Sequence, residues 1–224
     1  MQAQQFADDG FLVVESVIPF EDCADLARKS RPAVDRQVGS RNLLAEPWCA
    51  ALSRTIRRHL VLSQLIPEDF VAAQCTYFEK STAQNWLVPV HQDLSIPVAE
   101  RVAEATLTGW SVKEGALYVQ APQPILAQLV AVRLHLDACQ GEDGPLRVVP
   151  GSHKLGVTSP EAAAAARKAG PEIACLMRQG AALVMKPLLL HSSSKATGTS
   201  KRRVLHLLFG PSRLPFGLRW PIAV

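Results

Sequence analysis

Apolar residues recur at helical spacing in the early part of the chain, whereas beyond residue 70 they fall in short runs broken by turn residues. Phe11 to Val14, after Asp9-Gly10, reads as a short strand following a turn. Pro19 to Arg28 reads as a helix, with Glu21 and Asp22 suiting the positive end of its dipole and Arg28 and Lys29 the other. A second helix is predicted from about Pro47 to Leu62, where Trp48, Ala51, Leu52, Ile56 and Leu60 recur at helical spacing. Strands are predicted over 71–79, 86–91, 115–120, 128–137, 145–149, 181–190 and 203–209, separated by turn clusters such as Gly141–Gly144, Pro150-Gly151-Ser152 and Gly198-Thr199-Ser200. One further helix fits 160–169, opening on Pro160 and Glu161 and stopping at Gly170. The pattern predicts a mainly β protein with flanking helices, an α+β arrangement around a double-sheet jelly roll. With no internal repeat or linker, residues 1–224 read as one domain: helical support over about 19–62 and a β core over about 71–210.

Composition narrows the class. A hydrophobic fraction of 48% with 20% charged residues is that of a globular protein. No apolar run reaches the roughly 20 residues that cross a bilayer, and no basic segment precedes an apolar one at the N-terminus, so neither a membrane partner nor a secretory signal is expected. The net charge of +4 is scattered, and aromatics make up only 6%, which argues against nucleic acid. Cys23, Cys49, Cys75, Cys139 and Cys175 are widely spaced, odd in number and never in a CxxC pair. They read as small buried residues of a protein kept in a reducing, cytoplasmic compartment.

The chemistry centres on Pro89-Val90-His91-Gln92-Asp93. On an extended segment residues i and i+2 project to one side, so His91 and Asp93 can offer an imidazole nitrogen and a carboxylate oxygen to one ion. His191, at the end of the apolar run 181–190, is a suitable third ligand. Two imidazoles and one carboxylate on one face of an octahedral ion leave three positions open, the arrangement of non-haem Fe(II) oxygenases that take up a chelating oxo-acid and O2. Arg202 follows His191 by eleven positions and Ser193 by two. A guanidinium there can clamp the distal carboxylate of a dicarboxylate cosubstrate, and two antiparallel strands turning near Gly198 would set Arg202 beside His191.

A rival HxD exists. His135-Leu136-Asp137 ends the alternating segment 130–137, whose inward face would carry Arg133, His135 and Asp137 together. Spacing to His191 does not choose between the two pairs.

The chain resembles the phytanoyl-CoA dioxygenase family. The resemblance rests on FADDGFLVVESVIPFEDCADL at the start, VPVHQDLSIPV around His91, GPLRVVPGSHKLG (144–156) and HSSSKATGTSKRRVLHLLFG from His191. It implies a double-stranded β-helix, a cupin-like jelly roll, and it implies His91, Asp93 and His191 as the iron ligands. It likewise implies Arg202 and Ser193 on 2-oxoglutarate, and Arg133 and His135 on the cosubstrate or substrate wall. Asp93 stands where related halogenases carry a small residue, which favours hydroxylation over halogenation. His153 reads as structural, His59 as a helix-surface residue, and His206 as either core or support to the site.

The expected activity is therefore that of an Fe(II)/2-oxoglutarate-dependent dioxygenase, with O2 and a small molecule as its partners and succinate and CO2 released. Beyond Arg133 and His135, candidates for the substrate wall are Asn85, Trp110 (lid or core residue) and Arg41, since loops at a barrel mouth commonly set specificity. Two other classes stay open on the residues: a metal-binding, cupin-like isomerase that does not use O2, and a non-catalytic small-molecule binding module.

Overall fold

The structure, a computed structural model, describes residues 1–31 and 39–224. The helical support expected over about 19–62 thus includes positions 32–38, which lie outside the described residues. The helices are α1 (Gln2–Asp9), α2 (Phe20–Ser30), α3 (Pro47–Arg58), α4 (Gln123–Leu126) and α5 (Pro160–Ala169). The strands run β1 (Phe11–Val14), β2 (Gly39–Ser40), β3 (Phe70–Lys80), β4 (Val88–His91), β5 (Ser95–Val98), β6 (Thr108–Lys113) and β7 (Ala116–Gln120). They continue as β8 (Val130–His135), β9 (Leu146–Val148), β10 (Ile173–Cys175), β11 (Ala182–Met185), β12 (His191–Ser193) and β13 (Arg202–Pro211).

Local chemistry accounts for several boundaries. The Ser159 hydroxyl accepts from the Ala162 N–H, and Pro160 occupies the first turn, so α5 begins where the sequence predicts it. Helix α1 is not predicted, because Phe6 is its one buried residue and no apolar stripe repeats along it. It stops at Gly10, whose φ of 79° lets its N–H reach the Phe6 carbonyl.

Ten strands form two sheets, β1-β11-β8-β13-β3-β2 and β10-β9-β12-β4, and β5-β7-β6 form a hairpin sheet beside them. This is the double-stranded β-helix. On β13 the alternation sorts the two faces. Leu205, Leu207 and Phe209 join Ile18, Leu52 and Ile56 of the helical layer in one core, while Leu208 joins Leu146 and Val148 of the smaller sheet in another. Ile56 is fully buried in the first core, and its truncation to alanine would cost roughly 2–5 kcal/mol.

The apolar run 181–190 is not one strand. β11 ends at Met185, Pro187 supplies no N–H for a ladder, and the Leu189 N–H closes a turn on the Lys186 carbonyl at 3.0 Å. His191 consequently opens β12 in the other sheet instead of ending a strand. β12 pairs with β4 and β9, whereas β13 pairs with β3 and β8. His191 and Arg202 therefore belong to facing sheets, not to adjacent strands of a hairpin. The run 108–113, not predicted as a strand, is β6, which turns into β7 through Glu114 (φ 49°) and Gly115 (φ 79°), a two-residue turn with both central residues left-handed.

Candidate metal centre

His91 closes β4 and His191 opens β12, and the two stand directly opposite each other in the antiparallel pair. Their ring centroids lie 4.2 Å apart. Asp93, two residues beyond His91, brings Oδ1 to 3.7 Å from His91 Nε2 and Oδ2 to 3.7 Å from His191 Nε2. The candidate ligand atoms of the three residues all fall within 4.8 Å of one another.

The orientation of both imidazoles is fixed by the backbone. His91 Nδ1 lies 2.9 Å from the Pro89 carbonyl and His191 Nδ1 2.8 Å from that of Leu189. A carbonyl can only accept, so each Nδ1 carries a proton and each Nε2 is turned toward Asp93. Burial pushes His191 down to about 4 despite Asp93 nearby, which keeps it neutral near pH 7. Burial opposes ionisation of Asp93, but His191, His206, His91 and Arg133 together hold its carboxyl below the usual range. Two imidazole nitrogens and one carboxylate oxygen form a donor set that fits a ferrous ion.

Gln92, between the two ligands, points the other way and is buried. Its Nε2 donates to the Gly156 and Leu188 carbonyls, each at 2.7 Å, and its Oε1 accepts from Thr158 N at 2.9 Å and Thr158 Oγ1 at 3.1 Å. The Asp93 N–H meanwhile donates to the Pro187 carbonyl at 2.9 Å. The segment bearing His91 and Asp93 is thereby tied to the turn that delivers His191. The sequence reading did not single out Gln92; the signal was a polar residue flanked by two ligands and facing away from them.

A cavity of about 460 Å³ opens in front of the three ligands. Arg202, Ser193 and Arg133 line it. Ser193 Oγ donates to the Gly144 carbonyl at 2.9 Å and accepts from Lys80 Nζ at 2.9 Å, and Arg202 Nη1 donates to the same Gly144 carbonyl. Gly144 has a φ of 63°, and a Cβ there would meet the Ser194 carbonyl oxygen at 2.6 Å, so the close approach needs glycine. Arg202 Nε is buried with no hydrogen-bond partner among the described residues. Arg133 stacks its guanidinium over Phe78 at 5.3 Å and makes no hydrogen bond or ion pair among the described residues. Burial and neighbouring Arg202 push it down to about 9, and burial with Arg202 and Arg133 pushes Lys80 to about 8. Three buried cations converge here, a setting that favours an anionic ligand.

His206, left as core or support by the sequence, lines the cavity with Nε2 3.9 Å from Asp93 Oδ2. Its place on β13 two positions inward from Val204, on the face shared with Arg202, was readable from alternation once the strand was placed. Arg41 also lines the cavity, whereas Asn85, Trp110 and His135 are not among the lining residues. Asn85 exchanges two hydrogen bonds with the Ala196 backbone at 2.7 and 2.8 Å, clamping two loops together. Trp110 packs against the core between the sheets and donates to the Leu107 carbonyl at 3.2 Å. His135 is 2% exposed, and burial, with Arg133 and Arg202, holds its imidazole well below its ordinary range. Asp137 does not share an inward face with Arg133 and His135: β8 ends at His135, and Asp137 takes the Arg203 guanidinium through Nε at 2.8 Å and Nη2 at 2.6 Å.

The profile of the family described as phytanoyl-CoA dioxygenase matches residues 6–204. No curated protein matches the chain in sequence. Among solved structures, EctD from S. alaskensis with 2-oxoglutarate and 5-hydroxyectoine shares 18% identity at a TM-score of 0.71, over 96% of this chain and 78% of that one. HygX from Streptomyces hygroscopicus with nickel and 2-oxoglutarate shares 19% at 0.64, over 94% and 86%. SnoN, a non-haem α-ketoglutarate-dependent epimerase from nogalamycin biosynthesis, shares 15% at 0.64, over 96% and 85%.

Proposed function

This chain belongs to the phytanoyl-CoA dioxygenase family, and from that premise we propose that His91, Asp93 and His191 hold the Fe(II) of a 2-oxoglutarate-dependent dioxygenase that hydroxylates a small molecule. The observation that carries the reading is the pair of Nδ1–H donors spent on backbone carbonyls, which leaves two Nε2 lone pairs and the Asp93 carboxylate facing one point. Ferrous iron, when bound, supplies the O2-dependent oxidation of a C–H bond coupled to decarboxylation of 2-oxoglutarate into succinate and CO2.

The chain's own residues bind and orient. Arg202 receives the distal carboxylate of 2-oxoglutarate and Ser193 turns its one hydroxyl proton from the Gly144 carbonyl to it, with the Arg133 guanidinium on the same cavity wall and Lys80 behind Ser193. Gln92 keeps the ligand-bearing segments in register, so the site is set before any ligand arrives. Leu94, Ile96, Leu129, Leu146 and Leu208 give the cavity a largely apolar wall that limits water at the reacting centre. The structures of EctD and HygX with 2-oxoglutarate bound support the same cosubstrate here. The whole chain serves as one catalytic domain acting on a small molecule and O2. Five buried, unpaired cysteines support a cytoplasmic setting, and no helix among the described residues is long and apolar enough to cross a membrane.

Anaerobic addition of Fe(II) and 2-oxoglutarate tests the site without a substrate: the expected result is a visible charge-transfer band that Asp93→Ala lacks. Admission of air with a metabolite panel then reads succinate release. A band of undiminished strength and affinity in Asp93→Ala overturns the reading.

A further inference from the structure

Away from Arg202, a second group of cavity-lining residues gathers where the tip of the β6–β7 hairpin meets β2. Glu114, in the hairpin turn, accepts from the Arg41 N–H at 2.7 Å and from Arg41 Nη1 at 3.3 Å, and its carbonyl accepts from Asn42 Nδ2 at 2.9 Å. This latch holds the end of β6 over the cavity. Lys113, the last residue of β6, lines the cavity with Nζ 4.9 Å from the centre of the Tyr118 ring. It makes neither a hydrogen bond nor an ion pair among the described residues. Burial and neighbouring Arg41 lower its pKa, with Asp93 acting in the opposite direction.

Charge pairing shows what this group lacks. Among the lining residues the cations are Arg41, Lys113, Arg133 and Arg202, and Asp93 is the one carboxylate. Lys80, behind Ser193, adds a fifth cation. A ferrous dication and a 2-oxoglutarate dianion offset each other, Glu114 pairs with Arg41, and Asp93 acts on Arg133. Arg202, Lys80 and Lys113 are left over. Arg202 and Lys80 both bond Ser193, at the cosubstrate end, whereas Lys113, on β6, sits over Tyr118 with Arg41 as its neighbouring cation. An ammonium held over a ring inside a partly desolvated cavity, with no counter-ion, is completed by an anionic ligand.

We propose, resting on the oxygenase reading above, that the substrate carries an anionic group, a carboxylate or a phosphate, which Lys113 receives at the cavity rim with Arg41 beside it. The rest of the substrate then lies between this anchor and the three metal ligands, against Ile96, Leu129 and Leu208. Cationic substrates are disfavoured by the same charges.

The test uses the full chain loaded with Mn(II) and 2-oxoglutarate under nitrogen, titrated calorimetrically with phenylacetate, phenyl phosphate and the neutral phenylacetamide. At least one anion is expected to bind about tenfold or more tighter than the amide, and which one binds tighter separates a carboxylate from a phosphate substrate. Lys113→Met is expected to erase the preference and Lys113→Arg to restore it. Equal binding of acid and amide, binding of none of the three, or a preference that survives in Lys113→Met overturns the proposal. The titrations are repeated without metal and 2-oxoglutarate, and 2-oxoglutarate binding is measured by itself in each variant. Failure of wild-type protein to bind 2-oxoglutarate therefore overturns the oxygenase reading separately, and intact 2-oxoglutarate binding in Lys113→Met shows that the variant is folded.

Discussion

His91 and His191 face each other across one antiparallel strand pair, and each spends its Nδ1 proton on the carbonyl two residues before it. The two ligands are thus oriented by identical local devices on neighbouring strands, and the third, Asp93, needs only the extended step from His91. Replacing His191 or Asp93 by alanine removes a donor that no other residue within the ligand cluster supplies. Iron affinity is expected to fall by more than about hundredfold and succinate formation to vanish, since even supporting residues of a metal site commonly cost 10–100-fold. Equilibrium dialysis with Fe(II) under nitrogen checks the first, and succinate assay the second.

Arg202 and Arg133 are both buried cations on the cavity wall, but only Arg202 is anchored, through Gly144 and Ser193. A lysine at 202 cannot keep that anchor while offering a planar fork to a carboxylate. Arg202→Lys is expected to raise the KM for 2-oxoglutarate by about tenfold or more, with a smaller rise in Arg133→Met. Steady-state succinate release with varied 2-oxoglutarate separates the two.

Gln92 tests how far ligand placement depends on a residue that touches no ligand. Gln92→Leu leaves the Gly156 and Leu188 carbonyls and the Thr158 N–H without their buried partner. A stability loss of roughly 2–4 kcal/mol is expected from these unmade bonds, together with about 10–100-fold weaker metal binding. Urea unfolding and metal titration measure the two effects. A stability loss with unchanged metal affinity would make Gln92 a fold residue only.

Much of this site was readable from residue order. His91 and Asp93 are two apart on an extended segment and Ser193 is two beyond His191, so period-two geometry carries these, whereas Arg202, an odd eleven positions on and in the facing sheet, was expected from a hairpin that does not form. The rest depended on which strands lie in which sheet. Pro187 splits an apolar run that reads as one strand, so the delivery of His191 by the smaller sheet was hidden. Lys80 reaches the site only because β13 pairs with β3, a long-range register that no local pattern encodes. Asn85 and Trp110 flank the ligand motif in sequence, yet the hydrogen bonds of Asn85 to Ala196 and the core packing of Trp110 direct them elsewhere.

The metal-free protein should be sensitive to mild acid. His191 and His206 are pushed down to about 4 by burial, and His135 well below its ordinary value. Between pH 6.5 and about 4 the unfolded chain binds protons at these positions that the folded chain does not, so stability rises with pH across that window and is lost as pH falls. Each histidine contributes up to about 1.4 kcal/mol per pH unit there. Denaturant midpoints of the metal-free protein should drop from pH 7 to pH 5, and His206→Gln should show a shallower drop. Equal slopes in wild type and His206→Gln would show that His206 does not titrate on unfolding.

Asp137 separates the two HxD pairs by experiment. It accepts from the Arg203 N–H at 2.9 Å and takes the guanidinium through two nitrogens, on a half-buried face turned away from the metal ligands. Asp137→Ala leaves Arg203 without its carboxylate, a change expected to cost about 1–2 kcal/mol of stability. Because neither Asp137 nor Arg203 lines the cavity, Fe(II) affinity and succinate formation should stay within about twofold of wild type, the scatter expected for sites that share no partner. If Asp137→Ala abolished metal binding while remaining folded, the ligand role would pass to the later pair, and His91 and Asp93 would lose it. Preserved binding in Asp137→Ala beside lost binding in Asp93→Ala assigns the iron to the first pair. The difference follows from direction alone: both aspartates follow a histidine by two residues, but Asp93 turns toward two imidazoles and Asp137 toward a guanidinium.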